Sequence, residues 1–98
     1  MSVDLQAERA IAMDSTKYVG MDVHTEAITV AVRNSAGKVI IESTLETKTS
    51  TILEFIQGLH GNLHVTFEEG SWAAWLYDVL KPQVTKVVMY TNGTMHPK

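Results

Sequence analysis

The stretch YVGMDVHTEAITVAVRNSAGKVI, residues 18–40, decides how this chain is read. Tyr18 to His24 has the two-residue period of a β-strand, with Val19, Met21 and Val23 on one face and Tyr18, Gly20, Asp22 and His24 on the other. Ala27 to Asn34 is rich in β-branched residues and reads as a second strand. Asn34 to Lys38 (NSAGK) is a turn, and Val39 to Thr47 gives a third strand. The three predict an antiparallel meander. One residue disturbs the pattern, the carboxylate of Asp22 inside an apolar strand. Buried and unpaired, such a group costs roughly several kcal/mol, so it asks for a partner or a metal.

Downstream of the meander the period changes. Ile52, Leu53, Phe55, Ile56 and Leu59 fall on one face of a helix, with Thr51 and Glu54 spaced as a capping box and Gly58 and Gly61 as its stop. Leu63, Val65 and Phe67 alternate with His64, Thr66 and Glu68, a fourth strand. Ser71 is placed to cap a second helix, whose expected core stripe is Trp72, Trp75, Leu76 and Val79 and whose end is Pro82. Val84 to Tyr90 is a fifth strand. The order β-β-β-α-β-α-β predicts a mixed sheet with crossover helices, and right-handed crossovers bring strand four beside strand one. That is the RNase H-like arrangement. Upstream, residues 1–16 carry a weak helical pattern (Leu5, Ala7, Ala10, Ile11) before a polar break, and read as an arm or short frayed helix ahead of a domain over 17–98.

Composition narrows the classes. At 98 residues, 45% hydrophobic and 19% charged, the chain is expected to be one soluble domain with a modest core. It has no Cys, which excludes disulfides, thiol catalysis and cysteine zinc sites and fits a cytoplasmic setting. No apolar run is long enough for a membrane helix, and the N-terminus lacks the apolar core of a signal peptide. The net charge is −3, and no two of the eight Lys and Arg residues are adjacent. A nucleic-acid partner would therefore need much of its grip from elsewhere.

If strands one and four are neighbours, Asp22 and Glu68 converge at one edge of the sheet. A lone strand acid is more often a solvated strand-end group or turn cap, with Glu68 and Glu69 a solvated pair. The second acid in the matching place favours a shared divalent cation. Mg²⁺ takes one or two protein carboxylates with waters and phosphate oxygens, and paired metals serve phosphoryl transfer.

The segments YVGMDVHTEAITVAV, AGKVI and VTFEEGSWAAWLYDVLKPQVTKVV resemble the N-terminal domain of a bacterial insertion-sequence transposase family. That family has a RuvC-like DEDD domain, moves through a circular intermediate and is guided by a bridge RNA. The resemblance runs from about Tyr18 to Val88. It implies a RuvC-like, RNase H-like fold, DNA strand cleavage and transposition in the intact protein, Mg²⁺ or Mn²⁺ as cofactor, and DNA and a guide RNA as partners. It puts the first acid on Asp22 and the second on Glu68, with Glu69 the neighbouring candidate. Strand parity favours Glu68. The family's third and fourth acids, an Asp-x-x-Asp pair after strand five, have no counterpart, since no Asp or Glu follows Asp78. The expectation is therefore a C-terminally truncated domain that binds metal weakly and is inactive alone; with strand five or the missing helix's apolar contact surface left exposed, a homodimer is a further expectation.

His24 and Thr25 are candidates for phosphate contact or support of a bound metal, against a hydrogen-bonded strand-end His and a simple turn Thr. His60 and His64 are not a zinc pair, because Gly61 breaks any helix between them. Ser71 has no His or Asp arrangement to activate it. Asn92-Gly93-Thr94 has the form of a glycosylation acceptor and is read as chance. Two other functions compete. The same core is used by sugar kinases and actin-like ATPases, but His24 and Glu26 occupy the hairpin where a triphosphate needs close backbone approach. The other is a folded remnant without chemistry.

Overall fold

The computed structural model describes residues 15–91. Strands β1 (Lys17–Val23), β2 (Ala27–Arg33) and β3 (Val39–Glu46) form the meander. They are followed by α1 (Thr49–Gln57), β4 (Leu63–Glu68), α2 (Ala73–Leu80), a 3-10 turn at Lys81–Gln83 and β5 (Lys86–Tyr90). The arm expected at residues 1–16 and the Asn92-Gly93-Thr94 pattern lie outside the described residues, apart from Ser15 and Thr16. The fold is a mixed α/β unit, one five-stranded sheet with order β3-β2-β1-β4-β5. β1 is central, antiparallel to β2 and parallel to β4. The two crossovers from β3 to β4 and from β4 to β5 carry the helices.

Both helices pack on one face. Val19, Met21, Ile28, Val30, Val32, Val65 and Phe67 from the sheet join Ile52 and Ile56 of α1 and Ala73, Leu76 and Leu80 of α2 in a single buried cluster. The alternation read from the sequence accounts for this face. The opposite face carries no helix among the described residues, and Tyr18, Val88 and Tyr90 stand exposed on it. Asp22 belongs to that open face, and its side chain is 71% exposed. The expectation of a buried carboxylate is thus corrected: water solvates Asp22, and no burial penalty has to be offset.

Local signals were partly misread. The NSAGK turn forms as expected, with Asn34 Oδ1 accepting from the backbone N–H of Ala36 and Lys38, 3.0 Å each. α1 starts two residues before the expected capping box. Its N-cap is Lys48, without a side-chain bond, so Thr51 and Glu54 lie inside the helix. Ser71 does not cap α2 either; Trp72 holds that position, also without a side-chain bond. The buried stripe of α2 is Ala73, Leu76 and Leu80, rotated from the expected one. Trp72 is exposed and Trp75 half-buried, because small Ala73 takes the place against the sheet. The two indoles meet edge to face at 6.0 Å, and Trp75 Nε1 donates to Thr49 Oγ1 across 3.2 Å, tying α2 to the start of α1. No helix among the described residues is long and apolar enough to cross a membrane.

Candidate functional site

The parallel pair β1–β4 brings the two predicted acids together. Met21 lies opposite Phe67, both on the covered face. One residue further on, Asp22 and Glu68 leave neighbouring strand ends on the open face. They line one pocket of about 90 Å³ together with Glu69, Gly70 and Ser71. The pocket forms because α2 begins only at Ala73, after a turn in which the Ala73 N–H bonds the Gly70 carbonyl at 3.1 Å.

Glu69 lies on this rim but is tied elsewhere. Its N–H donates to the Tyr90 carbonyl at 2.6 Å, and its Oε1 accepts from Thr91 Oγ1 at 2.6 Å. It therefore faces β5, and Glu68 is the acid that shares a face with Asp22. His24 Nε2 sits 3.2 Å from Asp22 Oδ2, so the His belongs to the Asp22 neighbourhood, with both side chains mostly in water. Thr25 is exposed in the β1–β2 turn. That turn is closed by the His24 N–H donating to the Ala27 carbonyl at 3.0 Å.

Two hard carboxylate oxygen donors at adjacent strand ends can offer Mg²⁺ the one or two protein ligands it ordinarily takes, with water on the remaining positions. Among the described residues, no three His, Asp or Glu side chains converge as a metal-binding group. The pair fits an open, weakly held divalent cation rather than a closed structural site. Sequence reasoning missed the rest of the open face. Arg33, Tyr18, His64 and Lys86 stand in one row across β2, β1, β4 and β5. The alternate positions of those strands carried the signal, which only the strand register assembles into a row.

The chain matches no protein-family model and no curated protein sequence. Among solved structures it is similar to a protein of actin-like ATPase fold and unknown function from Bacteroides thetaiotaomicron, with a TM-score of 0.60 and 13% identity over 95% of this chain. It is also similar to Pelota from Archaeoglobus fulgidus, with a TM-score of 0.49 and 16% identity over 89% of this chain. The chain spans 40% and 30% of those two proteins. The first likeness establishes the fold alone, a mixed α/β unit.

Proposed function

We propose that the chain carries an RNase H-like, RuvC-like unit of the insertion-sequence transposase kind, acting on DNA with a guide RNA partner. The observation that carries this is the pair Asp22 and Glu68, two acids at adjacent ends of parallel strands on one face. The resemblance of GMDVH and FEEGSW to that family supports it. In this reading Asp22 and Glu68 hold a Mg²⁺ ion, with His24 and Thr25 near the phosphate and Glu69 bracing the rim against β5. A Mg²⁺ ion held by Asp22 and Glu68 would supply Lewis-acid stabilisation of the charge that develops on a phosphodiester. The two acids orient it at an edge open to a nucleic-acid strand. Two carboxylates are a sparse ligand set, so this pair by itself holds a metal weakly.

The test is Mn²⁺ titration of the 98-residue chain followed by electron paramagnetic resonance. Binding is expected with a dissociation constant on the order of millimolar, and lost in both Asp22→Asn and Glu68→Gln. Tight binding that ignores Glu68→Gln sinks the site.

The likeness to an actin-like ATPase fold favours a second reading, a nucleotide-binding hairpin at β1–β2. The chemistry of that hairpin opposes it. His24, Thr25 and Glu26 replace the glycines that let a backbone cradle phosphate, Glu26 repels it, and the His24 N–H is already spent within the turn. Micromolar binding of a fluorescent ATP analogue would reverse the order of the two readings.

A further inference from the structure

The open sheet face is polarised along its strands. At one end, Arg33, Tyr18, His64 and Lys86 lie side by side across four strands. At the other end lie Thr29 and Asp22, then Glu68 and Tyr90. Between them runs a row of Glu42, Ala31, Gly20, Thr66 and Val88. The small residues at its centre leave a trough of about 360 Å³ between Tyr18, Arg33 and Tyr90. One end is basic and the other acidic, with a tyrosine at each, and the middle is shallow.

We propose that this face docks a second copy of the chain, turned end for end about a dyad that runs across the strands through the Gly20–Ala31 row. The operation keeps each strand over its own copy and reverses its direction. Glu68 then faces the His64 end of the same strand in the other copy, Arg33 comes beside Asp22, and Lys86 comes beside Glu68. Each Tyr18 ring comes over Asp22 of the other copy, at the border of the trough. Aligned sheets about 10 Å apart accommodate side chains of this length. Each residue of the central row meets its own copy; Glu42 is the one charged member of that row, and it sits on edge strand β3, where sheet twist splays the two layers.

Charge selects this occupant over a polyanion. The face carries Arg33 and Lys86 against Asp22, Glu42 and Glu68, so a nucleic acid laid along it without metal meets the acidic end. A reversed copy meets opposite charge at both ends. Five short strands present less than the roughly 800 Å² per partner of a standard interface, so the dimer is weak and concentration-dependent.

Sedimentation equilibrium of the full chain in EDTA, from micromolar to several hundred micromolar, tests the proposal independently of the metal site. A monomer–dimer equilibrium that weakens with salt is expected. Arg33→Glu should raise its dissociation constant at least about tenfold, and Asp22→Arg added to Arg33→Glu should restore it to within about threefold. Circular dichroism establishes that each variant is folded. A chain that stays monomeric throughout overturns the proposal, and a melting temperature lowered by Arg33→Glu would then mean that the chain's own residues cover the face. A dimer indifferent to Arg33→Glu also overturns it, because the contact then does not use the charged ends of this face. A single variant that weakens and a double variant that fails to restore removes the end-for-end geometry.

Discussion

At the scale of single residues, Asp22 was legible in part. Its face followed from period two, and its pairing with Glu68 followed from the crossover rule, because both depend on local spacing. Its exposure did not, because no residue near Asp22 says whether a helix covers that face. Exposure sets the prediction. Asp22 has His24 at 3.2 Å, but a solvated pair of this kind contributes little. Against it stands repulsion from Glu68 at the adjacent strand end. Asp22→Asn is expected to leave the melting temperature in EDTA unchanged or raise it by up to about 3 °C. A loss of several degrees would instead make Asp22 a structural partner of His24. Glu69 shows the limit of parity arguments: its separation from Asp22 comes from bonds to Tyr90 and Thr91, residues remote in sequence.

At the scale of elements, strands and helices were legible and their caps were not. A helix is held here by the apolar stripe that it buries, so its start slides to wherever that stripe meets the sheet, and Thr51 and Ser71 lose their capping roles. Turns are more local, and glycine conformation separates two of them. Gly37 has φ +87 with open space around it, and Gly61 has φ +96 with the Ser15 carbonyl oxygen where a Cβ would go. Gly37→Ala should therefore cost only the left-handed backbone penalty, roughly 1 kcal/mol. Gly61→Ala adds a clash with backbone that cannot rotate away, and its loss should be at least about 2 kcal/mol in urea denaturation. Equal losses would mean that the contact between Ser15 and Gly61 yields freely. Within β4, Phe67 is fully buried beneath both helices' cluster, and Phe67→Ala is expected to cost about 3–5 kcal/mol by the same titration, a large part of the roughly 5–15 kcal/mol that holds a domain of this size folded.

At the scale of the whole molecule, the strand order was legible because handedness and short connections leave few alternatives. The one-sided cover was not read: both crossovers run in the same direction across the sheet, which sends both helices to one face and leaves the other without a helix among the described residues. That open face joins the two readings of the protein. Asp22 and Glu68 are the metal ligands in one and the acidic end of the docking surface in the other. A divalent cation on them cancels the charge that Arg33 and Lys86 of a second copy would meet. Metal binding and pairing must then oppose each other, and by linkage each weakens the other by the same factor. Millimolar Mn²⁺ should raise the dimer dissociation constant several-fold beyond what an equal ionic strength of NaCl does. The same Mn²⁺ should have no such excess effect on Glu68→Gln, whose site is broken. If Mn²⁺ and NaCl act alike on the native chain, the two carboxylates do not serve both roles. The Mn²⁺ titration and the Arg33→Glu exchange then decide separately which of the two survives.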